Sequence, residues 1–206
     1  AFRAAIEHGY AIECDLCLSS DACPIVYHDE TLERLTGETG PLHLRSERDL
    51  CALPVCGTAE TIPSLDRLLA CVAGRVALVL ELKSSPRREA AFAEALARRL
   101  SSYSGPVAVM SFDPALLAAV RVAARGLPRG LVAEGNLLRS ARHLRAIAAH
   151  HLHFVSYSAA DLPTPAPLVA RWLLGLPLLC WTVRDEAQAR RALRWADQVT
   201  FEGFLP

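Results

Sequence analysis

The sequence predicts an α/β protein of the TIM-type (β/α)8 barrel class. Short runs of Val, Leu and Ile alternate with amphipathic segments along most of the chain, which is the pattern that parallel βα units produce. From Glu81 onward the predicted strands recur about every 20–30 residues, as successive βα units require. Acidic residues stand near the ends of two predicted strands, at the edge where barrels of this class build their functional sites.

Length and composition limit what the chain can be. It has 206 residues, of which 52% are hydrophobic, enough for one domain with a sizeable core. We therefore predict a single catalytic barrel domain over residues 1–206, with an excursion on the rim at about 24–63. The 22 basic and 22 acidic residues argue against a nucleic-acid-binding protein but allow a small anionic substrate. The apolar runs are too short to cross a membrane, so we expect no stable membrane insertion.

The cysteines indicate a reducing compartment. There are seven of them, an odd number without a regular spacing, so we expect free thiols and a cytoplasmic location. Cys14-x-x-Cys17 resembles half of a zinc knuckle, but residues three apart on a strand face opposite sides. Buried thiols are therefore favoured over a zinc site. Nothing in the sequence predicts an oligomeric state.

The predicted elements follow one another in a regular order. Residues 1–9 form an amphipathic helix that no capping residue precedes, so we expect further chain before it. Extended runs follow at 10–18 and 24–28, and a polar stretch with turn residues then extends to about residue 63. Helices are predicted at 64–73, 88–100, 114–125, 140–150, 167–174 and 186–195, and strands at 76–83, 107–112, 130–134, 154–158, 178–183 and 198–201.

An open, doubly wound sheet is the alternative architecture. Such a sheet normally carries a glycine-rich nucleotide loop after its first strand, and the sequence contains no such loop. The predicted strands include seven that fit a barrel, one fewer than a closed barrel needs. The expected upstream segment supplies the missing first strand, so the barrel is favoured.

Two carboxylates share one face of the first predicted strand. In Glu13-Cys14-Asp15, strand alternation puts Glu13 and Asp15 on the same side and Cys14 on the other. Neighbouring carboxylates repel one another unless a cation or a proton lies between them. Oxygen ligands of this kind suit Mg²⁺ or Ca²⁺ better than zinc. Taken alone, a solvated strand end explains the pair equally well.

Two further strand ends carry titratable residues. His28 closes the run at 24–28, where it can exchange protons near neutral pH, although a turn histidine beside a capping Asp29 is the simpler interpretation. Glu81 and Lys83 share a face at the end of an apolar strand, where burying either charge alone is costly. We predict Glu81 as a third metal ligand and Lys83 as a phosphate contact, with a simple ion pair as the alternative.

Weaker candidates lie on later strands. Trp181 is near the end of the penultimate strand, where its indole can pack against an apolar or glycerol-like group. Core packing explains Trp181 about as well. Ser111 and Phe112 end another strand and can line the same kind of site.

Taken in order, these residues resemble the motifs of the glycerophosphodiester phosphodiesterase family. The resemblance runs along nearly the whole chain, and it depends on the order of the motifs rather than on any single one. The segments that carry it are I-E-C-D at 12–15, V-Y-H-D-E-T-L at 26–32, I-P-S-L at 62–65, L-E-L-K at 80–83, S-F at 111–112 and W-T-V at 181–183.

The resemblance implies a TIM-type barrel with Mg²⁺ or Ca²⁺ held by Glu13, Asp15 and Glu81. It also implies that His28 is one of two acid–base histidines and that Lys83 contacts the phosphate. The implied activity, part of lipid and glycerol metabolism, is metal-dependent hydrolysis of glycerophosphodiesters to glycerol 3-phosphate and an alcohol.

The sequence departs from the family at one motif. The family's second histidine lies in an H-R-G motif on its first strand, and these residues contain no such motif, so we expect it upstream. Two alternatives stay open. One is a phospholipase-like phosphodiesterase acting on lysophospholipids or inositol phospholipids, which an apolar rim would favour, and the other is a catalytically inactive barrel that binds metal and phosphate.

Overall fold

In the computed structural model, which describes residues 1–205, the chain forms two compact units. The first contains Ala1–Val109 and Ala118–Leu127, and the second contains Met110–Leu117 and the chain from Pro128 onward. The predicted extent of the catalytic domain, residues 1–206, stays a prediction, and its last residue lies outside the described part of the chain.

Three strands carry the candidate residues of the first unit. Strand β1 (Ile12–Leu18) pairs antiparallel with β2 (Pro24–Val26) and in parallel with β3 (Leu78–Leu82). The parallel register sets Asp15 opposite Glu81. The helices of the first unit are α1 (Phe2–Glu7), α2 (Glu33–Thr36), α3 (Glu47–Leu50), α4 (Leu65–Val72) and α5 (Glu89–Leu100). Strand β4 (Val107–Ser111) and helix α6 (Pro114–Ala123) are each divided between the two units.

The segment between β2 and α4 has more structure than the sequence predicted. Where a polar stretch with turns was expected, the chain forms the one-turn helices α2 and α3 and a 3₁₀ turn at Leu42–Leu44. Elements this short contain too few residues to show a helical hydrophobic period. They pack around what we call the β2 cluster, whose buried members are Cys17, Ile25, Tyr27, Leu32, Leu42, Leu50 and Ile62.

The second unit is built on four parallel strands. They pair in chain order, β5 (Arg129–Ala133) with β6 (Phe154–Ser158), then β7 (Leu178–Val183), then β8 (Gln198–Phe201). Every residue of β5 and four of the five residues of β6 are buried, as in a parallel sheet that is covered on both faces. The helices of this unit are α7 (Leu137–His150), α8 (Pro165–Trp172) and α9 (Glu186–Ala192).

Local capping explains where the helices begin. Ser64 caps α4 as predicted, because its Oγ accepts a hydrogen bond from the Arg67 N–H at 3.4 Å. Helix α7 begins before its predicted start at residue 140, since the Asn136 side chain caps it by accepting from the Leu138 N–H at 3.1 Å.

Within residues 1–205, no helix is long and apolar enough to cross a membrane.

Candidate active site

Three carboxylates meet on one face of β1 and β3. Glu13 and Asp15 project from β1 to the same side, and Asp15 is in register with Glu81 of β3. One oxygen from each of these side chains lies within 4.8 Å of the other two. The fold therefore brings together three acidic residues that the sequence analysis selected from two distant segments.

Lys83 supplies positive charge to this acidic cluster. Its backbone N–H donates to the Leu16 carbonyl at 2.9 Å, which continues the pairing of β1 and β3. Its Nζ lies 2.8 Å from Asp15 Oδ1 and 2.5 Å from Glu81 Oε1. Burial lowers the pKa of Lys83, but the hydrogen bonds and charges of Asp15 and Glu81 outweigh that effect and raise it above its usual value. The ammonium group therefore stays charged between the two carboxylates.

Burial, and then the crowding of negative charge, raises the pKa of two carboxyl groups in the acidic cluster. Burial, and then the charges of Asp15 and Glu81, raise the pKa of Glu13 to about 8. Burial also raises the pKa of Glu81, although the hydrogen bond and charge of Lys83 oppose the shift. Glu13 therefore holds a proton at neutral pH unless a further cation compensates its charge.

The donor set fits a hard divalent cation. With all groups ionised, three carboxylates beside one ammonium leave two negative charges, which a divalent cation cancels. Mg²⁺ and Ca²⁺ bind carboxylate oxygens at about 2.0–2.6 Å, and oxygens within 4.8 Å of one another can share an ion at such distances. Among residues 1–205, no group of three potential ligands includes Cys14 or Cys17, so the zinc interpretation gains no support.

His28 is hydrogen-bonded to Asp29, and Arg34 in turn donates to that carboxylate. Its Nδ1 lies 2.7 Å from Asp29 Oδ1, and Asp29 also accepts from Arg34 Nε at 2.6 Å and Nη2 at 2.8 Å. The bonds from Arg34 first, and that from His28 as well, lower the pKa of Asp29 to about 2. An ionised Asp29 only accepts, so Nδ1 carries a proton and Nε2 is the nitrogen available for proton transfer.

The loop that carries His28 is anchored on the strand that carries the acidic residues. The Tyr27 N–H donates to the Asp15 carbonyl at 3.0 Å. Burial chiefly raises the pKa of Glu81, and a charge on His28 is among the influences that oppose this shift. The sequence analysis did not select Arg34, because its pairing with Asp29 depends on the one-turn helix α2, which no periodic pattern indicates.

Trp181 lies in the second unit, on β7. Its indole packs edge-on against Phe112, with ring centroids 5.7 Å apart, and Phe112 is 47% exposed. The indole Nε1 is buried and has no hydrogen-bond partner among residues 1–205. Ser111 is buried, and its Oγ accepts from the Asp113 N–H at 3.0 Å, so this hydroxyl caps a turn.

Comparison with protein families identifies the chain. The model of the glycerophosphoryl diester phosphodiesterase family matches residues 1–197. The chain belongs to this family. The match confirms the family predicted from the order of the motifs and, with it, the enzyme class, a phosphoric diester hydrolase acting on glycerophosphodiesters. A search of curated proteins finds no match.

Solved structures with the same fold confirm the predicted TIM-type α/β class. A phosphodiesterase from Oleispira antarctica, in complex with the product sn-glycerol-3-phosphate, has a TM-score of 0.85 at 22% identity over 97% of this chain and 84% of that chain. A glycerophosphodiester phosphodiesterase from Thermotoga maritima has a TM-score of 0.79 at 23% identity over 98% and 85%. The corresponding enzyme from Agrobacterium tumefaciens has a TM-score of 0.75 at 25% identity over 97% and 87%.

Proposed function

We propose that this family member hydrolyses glycerophosphodiesters to glycerol 3-phosphate and an alcohol, with Glu13, Asp15 and Glu81 as ligands of Mg²⁺ or Ca²⁺. The observation that carries the proposal is the convergence of these three carboxylates in a member of the family. Uncompensated carboxylates repel an anionic phosphodiester, so the cluster needs a cation before it can accept such a substrate. When bound, the cation supplies electrostatic stabilisation of the phosphate oxygens.

Lys83 is the proposed phosphate contact. Its ammonium lies against Asp15 and Glu81, beside the oxygens that would hold the cation. A phosphate oxygen that approaches this group meets a charged donor in a half-buried environment, where an electrostatic interaction is stronger than in water. Lys83 therefore adds to the field that favours charge developing on the phosphoryl group.

His28 is the proposed general acid. Asp29 and Arg34 fix the orientation of its ring, which leaves Nε2 to protonate the departing alkoxide. Proton transfer of this kind typically contributes about 10²–10⁴-fold to the rate. Activation of the nucleophile belongs to the second histidine that the resemblance implies.

Trp181 is the proposed contact for the glycerol or alcohol part of the substrate. Its partly exposed pairing with Phe112 and its buried, unpartnered Nε1 support this role. An indole offers both an apolar face and one donor, which is what a polyol fragment requires.

The seven free cysteines support the accompanying proposal of a reducing, cytoplasmic compartment.

The apolar side chains between β2 and α4 give little support to a lysophospholipid substrate. Most of the large ones pack into the β2 cluster, whereas Leu44 is 67% exposed. A single exposed leucine is ordinary on a soluble surface. The segment therefore lacks the apolar rim expected for acyl-chain binding.

A substrate and cation assay of the full-length protein tests this proposal. Glycerol 3-phosphate and choline release from glycerophosphocholine is measured before chelation, after chelation and after adding back Mg²⁺ or Ca²⁺, and choline release from lysophosphatidylcholine measures turnover of a second substrate. We expect chelation to abolish release from glycerophosphocholine and either ion to restore it. Undiminished release after complete removal of divalent ions contradicts the proposal, and faster turnover of lysophosphatidylcholine favours the phospholipase-like alternative.

A further inference from the structure

We propose that Cys17 is a positioning residue, which holds the backbone of residues 27–29 so that His28 stays in register with the acidic cluster. The inference rests on the proposed role of His28 as the general acid. It concerns a buried thiol to which the resemblance assigns no role.

Three consecutive carbonyl groups turn toward the Cys17 thiol. Its Sγ lies 3.1 Å from the carbonyl oxygen of Tyr27, 4.0 Å from that of His28 and 3.8 Å from that of Asp29. A thiol has one proton, so it donates to one oxygen at a time, and Tyr27 is the nearest acceptor. The loop before and after His28 therefore curls around a single sulfur atom.

The surroundings of Cys17 make this contact important. Cys17 is 7% exposed and belongs to the apolar β2 cluster. Carbonyl groups that face such a cluster need a donor, because a buried acceptor without one is costly. A thiol supplies a donor and also packs well at this position, since sulfur packs as an apolar atom while S–H still donates weakly. Alanine at this position removes the donor and part of the packing, whereas serine keeps a donor.

The contact connects the general acid to the metal-binding strand. Cys17 lies two residues after Asp15 on β1, so the alternation of the strand directs both side chains to the same side. The Tyr27 N–H bonds the Asp15 carbonyl at 3.0 Å, and the Tyr27 carbonyl faces the Cys17 thiol. Both polar groups of the Tyr27 backbone are thus tied to β1. Asp29 fixes the ring of His28, and Cys17 fixes the backbone from which that ring projects.

Misplacement of a reacting group by about 1 Å can cost on the order of 10²-fold in rate. We therefore expect Cys17→Ala to lower kcat by about tenfold or more, with KM and cation affinity close to those of the wild type. Cys17→Ser should recover most of the lost rate, because its hydroxyl can still donate. Cys51→Ala is the matched control, because Cys51 packs against the same β2 cluster from the end of α3 and not from β1.

The measurements separate positioning from general stability. The variants are compared by steady-state kinetics, by urea unfolding and by the imidazole ¹H–¹⁵N spectrum of His28. We expect Cys17→Ala alone to alter the His28 resonances, and we expect no further loss of rate when it is added to His28→Ala.

Several outcomes overturn the inference. They are an unchanged kcat in Cys17→Ala, equal losses in the alanine and serine variants, or an additional loss on the His28→Ala background. If His28→Ala itself leaves the rate unchanged, the proposed function is wrong about His28. In that case, the His28 resonances still decide whether Cys17 holds the loop, and unperturbed resonances in Cys17→Ala contradict it.

Discussion

The strands of the two units carry different chemistry. In the first unit, the acidic residues and Lys83 share a partly buried site that spans β1 and β3. In the second, Phe112 and Trp181 form an aromatic pair, and the carboxylate that follows β5, Glu134, is exposed. Partly buried charge is costly unless it is paired or binds an ion, whereas aromatic rings pack stably without a ligand. The contrast supports the proposal that the reaction chemistry lies in the first unit.

The largest effect should follow removal of one charge from the acidic cluster. Glu81→Gln keeps the size of the side chain but removes a proposed cation ligand, and we expect kcat/KM to fall by about 10³-fold or more, which corresponds to several kcal/mol of lost charge stabilisation. Glycerol 3-phosphate release measures the loss. Glu134→Gln is the matched control in the second unit, and we expect it to keep nearly the wild-type rate. Equal losses in both variants contradict the contrast between the units.

A second effect, also in the first unit, concerns proton transfer. We expect His28→Ala to lower kcat by about 10²–10⁴-fold while cation affinity is retained, because His28 is outside the proposed set of ligands. Kinetics together with a cation titration of the same variant measure the two quantities. An unchanged rate removes His28 from the mechanism.

The aromatic pair should give a smaller effect of a different kind. We expect Trp181→Leu to raise KM by roughly 2- to 12-fold with little change in kcat, because an aromatic contact contributes about 0.5–1.5 kcal/mol. Trp181→Phe keeps a ring but removes the Nε1 donor. A raised KM in both variants assigns the effect to the donor, and an unchanged KM in both shows that Trp181 only packs the core.

The smallest effect concerns stability and pH. The pKa of Asp29 is lowered to about 2 from 3.8. The contribution of Asp29 to folding stability is therefore complete above its pKa in the unfolded chain, and it is lost as pH falls through the pKa of the folded state. We expect Arg34→Ala to destabilise the protein only slightly near neutral pH, because Arg34 is exposed and solvent screens its pair with Asp29, and by less still at acid pH. Urea unfolding near pH 6 and pH 3 measures this difference, with Arg190→Ala, which removes an exposed pair with Glu186, as the control.

The sequence predicted the parallel strands and the acidic cluster because both depend on local patterns. The alternation of Glu13 and Asp15 and the position of Glu81 near the end of an apolar strand show directly in the chain. It did not predict Arg34 or the role inferred for Cys17, because their contacts depend on how the segment between β2 and α4 folds. That segment is held by one-turn helices and a cluster whose members are scattered over the sequence, and neither produces a period.

Calorimetric titration of the protein with Mg²⁺ or Ca²⁺ tests most directly whether two strands share one cation. We expect one ion per wild-type chain, the same binding in Glu134→Gln, and a large loss of affinity in Asp15→Asn and Glu81→Gln alike, since these side chains come from different strands and are proposed to share one ion. Wild-type affinity in either of the last two variants would contradict the shared site.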